Sequence, residues 1–190
     1  MSKNRLEAFS DGVFAIIITI MILEIKAPES TDWESLWEIY PKFLSYILSF
    51  IYIGIYWNNH HHTFQAIKKG VTGGIMWSNH ALLFFLSLIP VATAWMGEHN
   101  FEKNPVILYG IILLLCAISY STLIFAIVAS EGKDSDFAKA IGKDQKGKFS
   151  ILFYALGIIS TFFAPWLGMF FYGSVAVMWM IPDKRLEKNI

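Results

Sequence analysis

The chain has 190 residues, of which 55% are hydrophobic, 16% aromatic and only 16% charged, and its formal net charge is zero. Soluble globular domains contain about 45–50% apolar and about 25% charged residues, so this composition excludes an ordinary soluble domain and indicates a membrane protein. The zero net charge gives no reason to expect nucleic acid as a partner.

The first long apolar run begins directly after two polar residues. Ser10 and Asp11 precede a stretch that is almost entirely apolar from Gly12 to Leu23. An ionisable side chain at the head of a membrane helix is costly unless it faces protein or water, so this helix is predicted to line a pathway. The alternative is that both residues cap a helix starting at Gly12. That helix would span only about 22 Å, which is less than a bilayer core and favours a start near Asn4.

One face of this first helix carries a stripe of mostly branched aliphatic residues. Ile16, Thr19, Ile20 and Leu23 follow the spacing i, i+3, i+4 and i+7, so they share a face. In a symmetric oligomer such a face can surround a central axis, where rings of aliphatic side chains form a constriction that gates by dewetting. Because every face of the helix is apolar, the spacing fits ordinary helix packing equally well.

Six apolar stretches are long enough to cross a bilayer core about 30 Å thick. They predict an all-α, polytopic membrane protein with six transmembrane helices, at about residues 6–26, 40–62, 73–96, 105–130, 149–164 and 166–182. Pro90 is expected to kink the third span. The last two spans are short and are predicted to form a tight hairpin, with one broken helix as the alternative. The connections are short, and the longest, about 131–148, reads as a solvated connector, so residues 1–190 are predicted to form a single transmembrane domain.

The distribution of basic residues predicts the orientation in the membrane. Twelve of the fifteen Lys and Arg residues fall on one side of the predicted spans, and only Lys26, Lys42 and Lys103 fall on the other. By the positive-inside rule, both termini are predicted to be cytoplasmic.

Four histidines lie near one membrane edge: His60, His61 and His62 end the second span, and His80 opens the third. A haem or metal site is one alternative, but no Cys pair or HExxH motif accompanies them, which favours hydrogen bonding to neighbouring helices. A proton-coupled secondary transporter that uses Asp11 and the His60–His62 cluster as a relay is another alternative. No nucleophile elbow, P-loop or dinucleotide fingerprint occurs, so an enzyme is not expected.

The polar start of the first span resembles the signature of a known family, the transmembrane protein 175 family of potassium channels. The matching residues follow the pattern Arg5-x3-Phe9-Ser10-Asp11. Two supporting matches lie in the second and third spans, namely Trp57-x2-His60-x3-Phe64 and Asn79-x10-Pro90. The resemblance extends over the six-span layout, while its specific motifs lie in the first three helices.

This resemblance implies a potassium-permeable cation channel in the plasma membrane of a prokaryote. It implies a homotetramer in the lipid bilayer, with the first helix lining the pore and no cofactor or bound metal besides the permeant potassium ions. The pore would narrow at Ile16, Ile20 and Leu23, and Thr19 would form a polar layer that bears on selectivity. A polar network would hold the first helix against the next two, through Arg5, Ser10, Asp11, His60 and Asn79. His61 and His62 match no family position, and their role stays open.

Overall fold

The computed structural model describes residues 1–142 and 144–180, and over that part of the chain it contains helices and turns but no strand. A helix satisfies its own backbone hydrogen bonds, which is why long apolar runs in a membrane protein adopt this state. In chain order the helices are α1 (Lys3–Leu23), α2 (Ser35–Glu38), α3 (Tyr40–Gln65), α4 (Gly73–Leu86), α5 (Ile89–Glu98), α6 (Lys103–Glu131), α7 (Asp136–Ile141), α8 (Gln145–Thr161) and α9 (Pro165–Met180).

The six predicted apolar stretches correspond to α1, α3, the pair α4 and α5, α6, α8 and α9, whereas the short helices α2 and α7 lie in the connections. By length and composition, three of these units are suited to crossing a membrane: α1, the combined α4–α5 unit and α6. The first helix begins at Lys3, so Asp11 lies inside it and the alternative that Ser10 and Asp11 cap a helix from Gly12 is wrong.

The third predicted span is interrupted where a proline removes a backbone donor. Helix α4 ends at Leu86 and α5 begins at Ile89, so the expected kink at Pro90 is confirmed as a break between two helices. Proline has no N–H to donate to the carbonyl four residues earlier, and its ring crowds that carbonyl. At this break the Ser87 hydroxyl donates a hydrogen bond to the carbonyl of Phe84 at 2.7 Å.

The last two helices form the predicted hairpin, and the alternative of one broken helix is wrong. Tyr172 lies against Gly157, and one turn nearer the bend Gly168 lies against Thr161, so α8 and α9 run antiparallel. The glycines allow close approach because a β-carbon at either position would clash with the opposite helix. The predicted extension of this span beyond Met180 lies outside the described residues.

The segments that connect the helices gather at two ends of the bundle. The basic end contains the N-terminus, the turn 66–72 and the residues 132–135 that follow α6, whereas the acidic end contains 24–39 and 99–102. At the acidic end Lys42 forms an ion pair with Glu98, N to O at 3.3 Å. At the basic end the Glu131 carboxylate accepts from the backbone N–H groups of Lys68 and Lys69, both at 3.0 Å. The ion pair joins α3 to α5, and the Glu131 contacts fix the turn after α3 against α6.

The connector after α6 is more ordered than the predicted solvated loop of 131–148. It contains the short helix α7, whose start is capped by the Ser135 hydroxyl accepting from the Ala138 N–H at 3.2 Å. Phe137 is buried and joins the apolar core of the bundle, which anchors the helix. The local cap and this single aromatic anchor explain the difference from the prediction.

Helices α3 and α5 approach most closely at Gly97, which gives a first testable prediction. A β-carbon there would lie 2.6 Å from the Ser45 hydroxyl and 2.7 Å from the Lys42 α-carbon, so Gly97→Ala must push the helices apart. We expect a loss of about 1–3 kcal/mol in unfolding free energy, measured by thermal unfolding of the purified protein. Gly54→Ala on α3 is the matched control, since nothing lies within 4 Å of the added carbon. Equal effects of the two changes would show that close packing at Gly97 is not required.

Candidate functional site

Helix α1 lies on the side of the bundle, with one buried stripe and one exposed stripe. In the most apolar 18-residue window of α1, 28% of the residues are buried. In the corresponding windows of the α4–α5 unit and of α6, 50% are buried. The buried stripe packs on α3, α4 and α5 and consists of Leu6, Ser10, Phe14, Ile17 and Met21. With 21 residues the helix is about 31 Å long, so its exposed stripe runs the thickness of a bilayer core.

The exposed stripe contains the four residues that the spacing places on one face. Ile16, Ile20 and Leu23 are 57%, 44% and 77% exposed, and Thr19 is exposed between them. The Thr19 hydroxyl donates to the carbonyl of Ile16 at 2.9 Å, so its oxygen remains available as an acceptor. One turn before Ile16 the face is open, because a β-carbon on Gly12 would meet nothing within 4 Å.

A chain of buried hydrogen bonds ties the basic end of α1 to α3 and α4. His60 donates from Nε2 to Asn79 Oδ1 at 2.8 Å, since the amide oxygen can only accept. Asn79 then donates from Nδ2 to the Ser10 hydroxyl at 3.0 Å, and Ser10 donates to the carbonyl of Leu6 at 2.9 Å. All three side chains are fully buried, so each bond replaces a contact with water that the fold has removed.

Aromatic rings hold the His60 imidazole in place. Its ring stacks on Phe64 with centroids 4.0 Å apart and meets the edge of Phe14 at 5.5 Å. Because Nε2 carries the proton, the neutral ring has a bare Nδ1, and this atom has no partner in the part of the chain that the structure describes. His60 is therefore oriented by the amide on one side and by aromatic packing on the other.

Beside this chain, two polar contacts join α1 to α3 one helical turn apart; we call them the α1–α3 rungs. In the first, Trp57 donates from Nε1 to Asp11 Oδ1 at 3.0 Å. In the second, His61 Nδ1 lies 3.1 Å from Glu7 Oε1. Both pairs are separated by four residues on each helix, which matches two antiparallel helices in contact.

The structure does not bring every residue of the family signature into this arrangement. Phe9 is 52% exposed and stacks on His80, with ring centroids 5.7 Å apart. Arg5 is exposed beside them and makes no hydrogen bond or ion pair with residues 1–142 or 144–180. Ser10, His60 and Asn79 thus form one chain of hydrogen bonds, Asp11 contacts α3 through Trp57, and Arg5 lies outside both contacts.

The three consecutive histidines point in different directions. His60 faces Asn79 on α4, His61 faces Glu7 on α1, and His62 is half-buried with an unpartnered Nδ1. His80 bonds from Nδ1 to the carbonyl of Met76, one turn back on its own helix, at 2.7 Å. Among the residues described, no group of three or more His, Cys, Asp or Glu side chains is placed to hold a metal ion.

The sequence reasoning missed Glu7 as a member of this site. A signal for it exists, because Glu7 precedes Asp11 by four residues and so shares its side of α1. Trp57 and His61 have the same spacing on α3. The two equal spacings are compatible with both rungs, although they do not determine which faces of α1 and α3 meet.

Comparison with known proteins assigns this arrangement to a family. Residues 5–90 match the family model described as "Endosomal/lysosomal potassium channel TMEM175". The chain is 56% identical over 190 residues to the potassium channel HX13_20290 of Chryseobacterium sp. (strain P1-3), covering 100% of this chain and 98% of that protein. It is 30% identical over 140 residues to the human endosomal/lysosomal proton channel TMEM175, covering 67% of this chain and 27% of that protein. The crystal structure of a lysosomal potassium-selective channel TMEM175 homolog from Chamaesiphon minutus superimposes with a TM-score of 0.82 at 28% identity, over 95% of this chain and 97% of that one.

Proposed function

The chain belongs to the TMEM175 family of potassium channels and is itself a passive potassium channel, and from this premise we propose that four copies surround a central pore lined by α1. The observation that carries this proposal is the exposed stripe of α1. It contains small, aliphatic and hydroxyl side chains, from Gly12 through Ile16, Thr19 and Ile20 to Leu23. A homotetramer buries this stripe around an axis and leaves the outer helices in contact with lipid.

In the proposed pore, Ile16 forms the tightest ring, and Ile20 and Leu23 form further apolar rings toward the acidic end. Branched aliphatic rings make a narrow passage that water leaves easily, which is the basis of a hydrophobic gate. Thr19 supplies a polar layer, because its hydroxyl oxygen can face a passing cation. Cations cross mostly hydrated, and selection between potassium and sodium arises from partial dehydration at Ile16 and Thr19.

We place the channel in the plasma membrane of a prokaryote, as a multi-pass protein with six spans and both termini in the cytoplasm. The basic end of the bundle, which contains Lys68 and Lys69, is then the cytoplasmic end by the positive-inside rule. This function requires no enzyme chemistry and no cofactor beyond the permeant ions. The whole chain acts as one channel domain.

The test is potassium flux from liposomes that contain the purified protein. We expect efflux above that of protein-free liposomes, with faster release of potassium than of sodium from matched vesicles. Cross-linking in the same vesicles should give a band at four times the 21.7 kDa chain mass. Absence of flux in vesicles that respond to an added ionophore would contradict a channel, and saturable uptake driven by a proton gradient would indicate a secondary transporter.

Replacing Asp11 tests whether this residue organises α1 or contacts the ions. Asp11→Ala removes the acceptor for Trp57 Nε1, so we expect a tetramer that is less stable by about 1 kcal/mol per chain. The measurement is thermal dissociation in detergent, and Trp57→Phe is the matched control because it removes the same bond from the other side. A stable but silent Asp11→Ala tetramer would instead assign Asp11 to the conduction path.

A further inference from the structure

His61 and Glu7 form the α1–α3 rung that lies nearest the basic end, and the family resemblance leaves the role of His61 open. The two atoms in contact, His61 Nδ1 and Glu7 Oε1, are 3.1 Å apart. The side chains are 48% and 20% exposed, so the pair is within reach of protons from solvent. Glu7 lies on the proposed pore helix, nine residues before Ile16, and a change in this contact therefore acts on the helix that forms the constriction.

Gln65 completes the surroundings of the imidazole. Its Nε2 lies 2.7 Å from His61 Nε2, so the amide donates to a bare ring nitrogen, and the proton of the neutral ring sits on Nδ1 facing Glu7. The Gln65 Oε1 atom is buried and has no hydrogen-bond partner in the described part of the chain. Rotating the amide by half a turn brings that oxygen to His61 Nε2, where it can accept from a second ring N–H. The site therefore accommodates a doubly protonated imidazole, with the Gln65 oxygen as acceptor and the amide nitrogen in the buried position that the oxygen leaves.

Several charged groups lie near the pair. The nearest acidic groups belong to the adjacent helix α1, where Glu7 contacts the ring and Asp11 lies one turn further on. From α4, Asn79 bonds to His60 and His80 stacks on Phe9 of α1. From α6, the Tyr120 hydroxyl bonds to Thr63, and the Glu131 carboxylate contacts the turn that follows α3. The basic residues Lys3 and Arg5 precede Glu7 on α1 by four and two positions, and His60 and His62 flank His61 on α3.

We propose that His61 and Glu7 form a proton-sensitive latch that holds the cytoplasmic end of the pore helix against α3, so that acidification favours the wider pore. A histidine side chain changes charge between pH 5 and pH 8, and a protonated ring binds a carboxylate more strongly than a neutral one. The exposed stripe of α1 faces away from α3. Drawing α1 toward α3 therefore moves Ile16 away from the axis. This direction rests on the proposed function, in which α1 lines the pore.

The latch itself is tested without any measurement of conduction. Thermal unfolding of the purified protein is followed at pH 8 and pH 6, at one ionic strength, for the wild type, His61→Gln and Glu7→Gln. We expect the wild type to gain about 2–4 °C at pH 6 relative to both variants. His62→Gln is the matched control, because His62 is the neighbouring histidine and makes no contact with Glu7, and it should keep the gain. A gain that survives in His61→Gln, or is lost equally in His62→Gln, overturns the latch.

The effect on the pore is tested by potassium flux at symmetrical pH 8 and pH 6. We expect wild-type flux to be about two- to fivefold higher at pH 6 than at pH 8, because the free energy of a partly exposed ion pair corresponds to a factor of this size. The flux through His61→Gln and Glu7→Gln should be the same at both pH values. Flux that falls, that is constant in the wild type, or that rises equally in His61→Gln overturns the coupling to the pore. If even the wild type fails to conduct, the proposed function fails, and the unfolding experiment alone decides whether the latch exists.

Discussion

Replacing Ile16 with asparagine is expected to raise potassium flux by about tenfold, which corresponds to a barrier lower by about 1.4 kcal/mol. Ile16 is 57% exposed on the open face of α1, and in the proposed tetramer four copies form the narrowest ring. Four amide groups would hold water in the constriction that four aliphatic side chains exclude. The same change should reduce the preference for potassium over sodium, because ions that keep their water are less distinguishable.

The measurement is efflux of potassium and of sodium from matched liposomes, at equal protein density. Ile22→Asn is the control, because Ile22 lies on the same helix, is 43% exposed and is about 120° around the helix from Ile16. That variant should leave both rates within about a factor of two of the wild type, since its amide lies off the ion path. Unchanged flux in Ile16→Asn, or an equal increase in Ile22→Asn, would contradict Ile16 as the constriction.

Replacing Asn79 with leucine is expected to lower the free energy of unfolding by about 2–3 kcal/mol. The amide bonds to His60 at 2.8 Å and to Ser10 at 3.0 Å, and all three side chains are fully buried. Leucine has nearly the same volume but leaves the His60 N–H with no acceptor and removes the donor to Ser10. The loss therefore reflects unpaired polar groups and not a cavity.

Thermal unfolding of the purified protein measures this loss, and we expect a decrease of about 5–10 °C for Asn79→Leu. Asn58→Leu provides the control, because Asn58 is exposed on α3 and the change removes the same type of side chain. We expect that control to shift the transition by less than about 2 °C. If both variants lost the same stability, the cost would come from the general effect of removing an amide, and the buried network would have no special role.

The long helices were predictable because each is an apolar run, and within a bilayer a helix satisfies the backbone hydrogen bonds of such a run. Pro90 marked the break in the third span for a local reason, the missing N–H. The capped turn at Ser135 and the anchor Phe137 escaped prediction because α7 is only six residues long and depends on one buried side chain in a mostly polar connector.

The site was predictable in part. Ser10, His60 and Asn79 lie in hydrogen-bond contact, and Ile16, Thr19, Ile20 and Leu23 lie on an exposed face of α1. The spacing predicted that these four residues share a face but not whether that face is exposed, and their role in a pore stays a prediction. Glu7 was missed because its contact depends on how α1 and α3 are rotated against each other, and the sequence of one helix does not contain that angle. Arg5 lies outside the network for the same reason, since its position on α1 turns it toward the groove at His80.

The contact between Glu131 and the turn after α3 can form only late in the synthesis of the chain. The Glu131 carboxylate accepts the N–H groups of Lys68 and Lys69, and 62 residues of chain separate Lys69 from Glu131. At about 5–20 residues per second, a ribosome completes Lys69 about 3–12 s before it reaches Glu131. During that interval the turn between α3 and α4 has no partner for these groups except water. Helices α1 and α3 to α5 therefore precede α6 in synthesis, and the contact that fixes the turn between α3 and α4 forms only when α6 is complete.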